Sequence, residues 1–494
     1  MFLKLNKILT RAKKNKGVSH TSLYAIGSIT RQLVGFLMLP IYTSYLTPAD
    51  YGLVGLFLFA ISILEGIFGA RLMDSVPKFY HEQSDSLSKN LVISSALWIT
   101  SIASSLIVGI AIFYSESFSK IIVGSSEYAL IFSLFAVQIL TQAIEFYGML
   151  YLRIVERPVL FLVLNLLKMA VQLLLNVWFV VYLELGVLGI AWSGVIATTL
   201  FAIGVGGYCV YKTGFGFDKA LGKKLLIFSW PLWLAGLGGL YINASNRYYI
   251  NLFSSLDEVG LYALGAQFAL ILMVIFWMPF NQYWSIQRFK TYKEEDAVNK
   301  FRGVFKIMSA LLGLGCIGIS ILSVPVIYWM ADSSFHEAVI VVPILVVGIM
   351  FFALAEFFNF GFFVKSRTGL VTKNSYISAA LVTILYFILI PEYGYIGAAI
   401  SLMCVQIFQF LYSYFLSQRF FKLDGVWPHL AYVFFVMVGV VYYTNFYLYQ
   451  GMESNQLSEI AIRILMCILA TVLLLGKFID YKKVQLIFRR QFRW

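Results

Sequence analysis

Long apolar runs follow one another almost without pause along this chain. They lie near 20–46, 52–77, 90–113, 128–152, 159–182, 187–211, 225–252, 261–287, 304–330, 338–364, 374–390, 395–418, 429–449 and 459–479. A helix needs about 20 residues to cross the hydrocarbon of a bilayer, and most of these runs meet that length. Strands of a membrane barrel are shorter and alternate polar with apolar residues, so continuous runs exclude them. The expected fold is therefore an all-α integral membrane protein with about fourteen transmembrane helices. Composition agrees: 60% of residues are hydrophobic and 12% charged, where a soluble domain has about a quarter charged.

The charged residues then orient the runs. Counted from a cytoplasmic N-terminus, all but five of the 37 Lys and Arg fall on segments that face the cytoplasm. Lys120 alone falls on an outward loop, and Arg31, Lys168, Arg247 and Arg463 lie within spans. Basic residues collect on the cytoplasmic side of membrane proteins, and omitting one span would reverse every loop after it. A net charge of +13 on a soluble protein would suggest nucleic acid; placed between apolar runs it reads as this orientation signal, and no nucleic-acid partner is expected. The first 18 residues are too basic for a signal sequence and read as a tail lying on the anionic inner leaflet.

Two stretches recur. Glu184-Leu-Gly186-Val-Leu-Gly189-Ile-Ala191 resembles Glu392-Tyr-Gly394-Tyr-Ile-Gly397-Ala-Ala399, and Asp50-Tyr-Gly52-Leu resembles Glu258-Val-Gly260-Leu, both separated by 208 residues. Glu145-Phe-Tyr and Glu356-Phe-Phe add a third pair at 211. One shared offset implies an internal repeat. The expected organisation is two pseudo-symmetric six-helix lobes in parallel, plus two C-terminal helices. The segments are a basic tail 1–18, an N-lobe 19–211, a cytoplasmic linker 212–224, a C-lobe 225–420, the last two helices 421–480, and a basic tail 481–494. Two such bundles around a midplane cavity make a transporter architecture.

A charge within hydrocarbon costs about 2.5–3.5 kcal/mol at a helix centre, so each one needs a reason. Arg31 and Arg247 open the two lobes, and a guanidinium pairs bidentately with phosphate. They are candidate seats for an anionic headgroup, with Lys168 a third; pairing with a carboxylate or snorkelling to an interface is the structural alternative. Glu65, Glu145 and Glu356 read either as ion-pair partners of those cations or as seats for a coupling proton or sodium. Asn243 and Asn246 flank Arg247 and either bond neighbouring helices or hydrogen-bond sugar hydroxyls. Arg71 and Asp74 sit at the inner end of the second span, as an inner gate or an interfacial anchor. The four histidines lack metal spacing, the four cysteines fall inside apolar runs as small core residues, and no phosphate-binding loop or nucleophile motif occurs, so neither a metal nor a cofactor is expected.

The stretches GFLMLPIYTSYLTPADYGLVGLF (35–57), ARLMDSVPKFYHE (70–82) and NRYYINLFSSLDEVGLYALGAQF (246–268), with the two EXGXXGXA repeats, resemble the Wzx-type polysaccharide flippases. These form the polysaccharide transporter branch of the multidrug/oligosaccharidyl-lipid/polysaccharide superfamily. The resemblance implies a V-shaped pair of lobes around a cationic cavity in a bacterial plasma membrane, both termini cytoplasmic. It implies as cargo an undecaprenyl pyrophosphate bearing an oligosaccharide repeat unit, moved from the inner to the outer leaflet for surface polysaccharide (O-antigen, capsule or exopolysaccharide). Polymerase and glycosyltransferases of the same pathway are the implied protein partners. The family often carries Asp-Arg where this chain has Asn246-Arg247. Outward movement of anionic charge is downhill by roughly 2.3 kcal/mol per charge per 100 mV, with proton or sodium coupling left open. Two rivals stay in view: a cation-coupled drug or metabolite exporter, which would favour an acidic cavity, and a polytopic glycosyltransferase or polymerase, which would carry acids on a large outer loop. Every outer loop here is short.

Arg31→Ala is expected to stop surface glycan display while the protein still reaches the membrane, read by glycan staining and immunoblotting of membranes. Normal display by a well-expressed variant removes Arg31 from the mechanism.

Overall fold

The computed structural model describes residues 36, 38–68, 72, 75–365, 367–449 and 457–476. They form nineteen α-helices in order: α1 Leu39–Tyr45, α2 Pro48–Phe68, α3 Ser75–Glu82, α4 Ser86–Phe113, α5 Ser115–Val123, α6 Ala129–Ile154, α7 Pro158–Asn176, α8 Gly186–Phe201, α9 Gly207–Thr213, α10 Lys219–Ala244, α11 Asn246–Phe253, α12 Leu256–Leu272, α13 Met278–Thr291, α14 Ala297–Met330, α15 Val341–Phe358, α16 Phe360–Val364, α17 Gly369–Ser417, α18 Trp427–Tyr449 and α19 Leu457–Leu475. Among the described residues there is no strand, and ten helices are long and apolar enough to cross a membrane, or eleven with one bent pair. The fold class is all-α and membrane-spanning, as the apolar runs require. The expected first span, 20–46, lies mostly outside the described residues, with α1 as its visible end.

Two of the expected spans, 374–390 and 395–418, fall within α17. At 49 residues a straight helix would be about 74 Å long, far beyond any bilayer core. The backbone leaves helical geometry at Gly394, with φ 54° and ψ −136°. A Cβ on Gly397 would strike the carbonyl oxygen of Leu389, though eight residues of straight helix would hold them about 12 Å apart. The chain therefore doubles back after Pro391. The other copy of the repeat does the same: Gly186 has φ 53°, and a Cβ on Gly189 would come within 2.9 Å of the Phe179 carbonyl. In each copy the first glycine makes the turn and the second lets the returning helix close on the one before it.

By packing, the chain forms two compact units, Met1–Gly260 and Leu261–Trp494. The repeat sets its lobes at 212–224, whereas packing divides after Gly260, because α10 and α11 lie on the first unit. Phe228 of α10 carries Lys78 at 4.1 Å from its ring, Trp233 donates to the carbonyl of Gly66, and Asn251 of α11 donates to the Ile122 carbonyl at 3.1 Å. The helix axis turns by 56° between Lys219–Pro231 and Gly236–Phe253, where Pro231 has no N–H for the carbonyl four residues back. The core of this unit gathers Leu72, Val76, Val92, Ile93, Tyr147, Leu150 and Leu225. Tyr147 lies there because its hydroxyl meets Thr100 Oγ1 at 2.8 Å.

The Asp50/Glu258 repeat is also explained inside the first unit. Thr47 and Asp50 exchange hydrogen bonds across the start of α2, Thr47 N–H to Asp50 Oδ2 at 3.0 Å and Asp50 N–H to Thr47 Oγ1 at 3.2 Å. Ser255 accepts from the Glu258 N–H at 3.2 Å at the start of α12. Both are serine/threonine caps with an acid three residues on. The two capped ends meet: a Cβ on Gly52 would strike the Leu256 carbonyl, and one on Gly260 would strike the Pro48 carbonyl. The contact is reciprocal, each repeat offering the same glycine to the same first residue of the other.

In the second unit α15 packs along α17, and α14 is flanked by α15, α18 and α19. Pro325 interrupts α14. Its missing N–H would have bonded the carbonyl of Ile321, four residues earlier. Arg463, 1% exposed on α19, donates to that same carbonyl from Nη1 at 3.1 Å. The intramembrane arginine thus serves a backbone group that the proline left without its helical donor. Of the cysteines, Cys209 and Cys316 are buried, whereas Cys467 is half-buried and Cys404 exposed; an outward face that meets lipid accepts a thiol as readily as the core does.

Arg463→Leu removes the donor to Ile321, worth on the order of 1–3 kcal/mol for a bond to a charged group. In Pro325→Ala the backbone N–H returns, so Arg463→Leu should lower the melting temperature in detergent less than it does in the parent. Equal shifts in both backgrounds would break the assignment.

Candidate functional site

The charged and amide residues expected to meet a ligand separate into three places. Arg31, Arg71 and Asp74 lie outside the described residues. The remaining seven are on helices of one unit or the other.

Arg247 sits at the start of α11, half-buried. Its Nη1 donates to Asn246 Oδ1 at 3.3 Å, and its charge acts on Tyr51 of α2. Asn246 is 1% exposed, so its amide is held in the protein interior beside the guanidinium. Asn243, one turn earlier, is exposed and gives its amide to the Gly239 carbonyl at 2.8 Å. Tyr241 and Tyr249 join their hydroxyls at 3.0 Å on the same stretch. A guanidinium, an exposed amide and several phenols therefore lie within about three turns of helix, together with Ser245, Asn246 and Asn251. Glu65 is half-buried on α2, beside the Gly66 carbonyl that receives Trp233.

The structure brings Lys168 and Glu145 together. Lys168 Nζ of α7 reaches both carboxylate oxygens of Glu145 on α6, at 2.7 and 2.6 Å. Glu145 is 8% exposed. Charges within hydrocarbon pair with one another, and removing either partner would leave the other buried and uncompensated. A network missed by motif reading runs one turn farther on: Gln172 donates to Ser193 Oγ at 3.2 Å, Ser193 to Asn176 Oδ1 at 2.5 Å, and Asn176 bonds Tyr42 of α1. Gln172 and Asn176 are four residues apart and so share a helix face. That spacing was a usable signal.

Glu356, the repeat partner of Glu145, is handled differently in the second unit. Asn359 donates to its Oε1 at 3.0 Å, Ser413 donates to Asn359 Oδ1 at 2.9 Å, and Asn374 donates to Ser413 at 3.2 Å. Arg288 supplies the electrostatic counter-charge; it also lies over the rings of Phe360 and Phe363, at 5.6 and 5.1 Å. The chain links α15, α16's start, α17 and the end of α13. Among the described residues no cluster of three or more His, Cys, Asp or Glu forms a metal site. At the ends of the helices, Asp85 caps α4 by accepting the Ser88 N–H at 2.8 Å, which holds its carboxyl below the usual carboxylate range.

Among known proteins, a family model described as "Polysaccharide biosynthesis protein" matches residues 18–284. No curated protein sequence matches the chain. Among solved structures, the lipid II flippase MurJ in an inward closed conformation aligns at TM-score 0.73 and 15% identity, over 94% of this chain and 99% of that one. An inward-facing multidrug resistance MATE transporter of the MOP superfamily aligns at 0.60 and 14%, over 82% and 100%. The MATE multidrug transporter DinF-BH aligns at 0.57 and 16%, over 81% and 94%. At these identities the likeness is one of fold.

Lys168→Met strands a buried carboxylate and should cost on the order of 3 kcal/mol, while Glu145→Gln/Lys168→Met should recover most of it. Thermal melting of the purified variants measures this. If the double variant melts as low as the single one, the pair is not coupled.

Proposed function

The chain belongs to the polysaccharide biosynthesis protein family, and from that membership we propose that it moves an undecaprenyl-pyrophosphate-linked oligosaccharide from the inner to the outer leaflet of a bacterial plasma membrane. The observation that carries the reading is Arg247 with its surroundings. A guanidinium is costly in hydrocarbon. Here it is held by a buried amide, Asn246, next to the exposed amide of Asn243. A guanidinium binds phosphate through two parallel bonds, and amides and phenols bond sugar hydroxyls. The prenyl chain needs no polar partner and stays in lipid. The shared fold with the lipid II flippase MurJ supports the same class of cargo, a lipid-linked saccharide.

Chemically, the step is translocation: no covalent bond forms or breaks. The protein's part is to replace the water around pyrophosphate with fixed donors while the headgroup passes the apolar layer. In this reading Lys168 and Glu145 already satisfy one another, so their charge is not spent on the cargo. Termini facing the cytoplasm and outward transport driven by the membrane potential belong to the same proposal.

The genetic test is direct. Arg247→Ala should abolish surface glycan and leave the lipid-linked glycan in the inner leaflet, whereas Arg247→Lys, which keeps the charge and loses the fork, should retain part of the display. Normal display by Arg247→Ala at parental membrane levels overturns the proposal.

A further inference from the structure

Among the described residues, one cluster of cations neither pairs with a carboxylate nor belongs to the Arg247 stretch. Arg157 closes the short turn between α6 and α7. Glu156 takes φ 55° there, and the Arg157 N–H returns to the Leu152 carbonyl at 2.9 Å. This turn aims the side chain at α9, where Arg157 Nη1 donates to the hydroxyl of Tyr208 at 3.2 Å. Lys212, four residues after Tyr208 and so on the same face, lies 6.0 Å from the Tyr208 ring and 5.1 Å from that of Tyr211. Tyr151 of α6 braces Tyr208 edge-on at 6.2 Å. Two cations, one from the α6–α7 turn and one from α9, thus converge on one phenol. Among the described residues, no carboxylate lies within 4 Å of either.

The surroundings are those of a lipid boundary. Tyr211 is 80% exposed and Phe215 74%, and Val159 beside Arg157 is 63% exposed. Aromatic rings gather at headgroup depth, and exposed aliphatics beside them face acyl chains. The arrangement offers a fork, a point charge and a hydroxyl where the polar and apolar layers meet.

We propose that Arg157, Tyr208 and Lys212 form a seat for the phosphate of an anionic glycerophospholipid, whose acyl chain lies along Val159. The phosphate relieves the repulsion between two like charges held on one ring, and the arginine takes two of its oxygens. The seat rests on the membrane-spanning fold and is independent of what the protein transports.

Purified full-length protein in detergent would be titrated with phosphatidylglycerol and, separately, phosphatidylcholine, with bound lipid counted by native mass spectrometry. Phosphatidylglycerol should be preferred, and Arg157→Gln/Lys212→Gln should weaken it by roughly thirtyfold, as loss of two interfacial cations predicts. Lys223→Gln/Lys224→Gln removes the same charge from exposed positions on α10 and should bind nearly as the parent does. Unaltered melting of both double variants establishes that each is folded. Equal loss in the two variants would mean that bulk charge alone is read, and equal binding of the two lipids would mean that charge is not read; either result overturns the seat.

Discussion

Within hydrocarbon there is no water to complete a hydrogen bond or screen a charge, and this governs the chain at every scale. It forces the backbone into helices, whose amides and carbonyls satisfy one another. It also makes each exception visible. Pro325 breaks one backbone bond, and Arg463 travels in from another helix to replace the donor. Glu145 enters the membrane with Lys168 bound to both its oxygens. Glu356 is held by Asn359, Ser413 and Asn374 in sequence, with Arg288 as counter-charge. In each case a costly group is neutralised by a named partner, and the cost explains why the partner is there.

The internal repeat shows the same economy in backbone terms. Its glycines fall where a side chain would be strained or crowded: Gly186 and Gly394 turn the hairpins at positive φ, Gly189 and Gly397 lie against a carbonyl, and Gly52 and Gly260 meet Leu256 and Pro48 in a reciprocal contact. The acids of the Asp50 and Glu258 motifs belong to capped helix starts. Residues that would read as a weak motif in isolation are therefore the turns, caps and crossings that let helices return and pack closely.

Much of the fold was legible because the signal is physical and local. A run of apolar residues long enough to cross lipid is a helix, and among the described residues ten helices, or eleven with one bent pair, are long and apolar enough to do so, against about fourteen expected spans. Partnerships were less legible. Nothing in the spacing of Arg463 points to a carbonyl 142 residues away, and the pairing of Lys168 with Glu145 was one of several open combinations. The division of packing after Gly260 was hidden for a similar reason: Trp233, Phe228 and Asn251 carry no mark of which half they lean on. The burial of Asn246 beside Arg247 was not legible either, since the sequence spacing of an amide next to an arginine does not say which way it faces. Gln172 and Asn176 were readable from their four-residue spacing and went unread because amides have no motif.

Against this background of satisfied charges, the account's central claim is that Arg247 and its amide neighbours serve a phosphate-bearing lipid in transit. The most direct measurement reconstitutes the protein into sealed vesicles with a fluorescent prenyl-pyrophosphate oligosaccharide and follows quenching of the label by a membrane-impermeant reagent. Protein-dependent loss of the fraction protected in the inner leaflet, with an ordinary fluorescent phospholipid left protected, is the result the account predicts. Protection that is the same with and without the protein would contradict it.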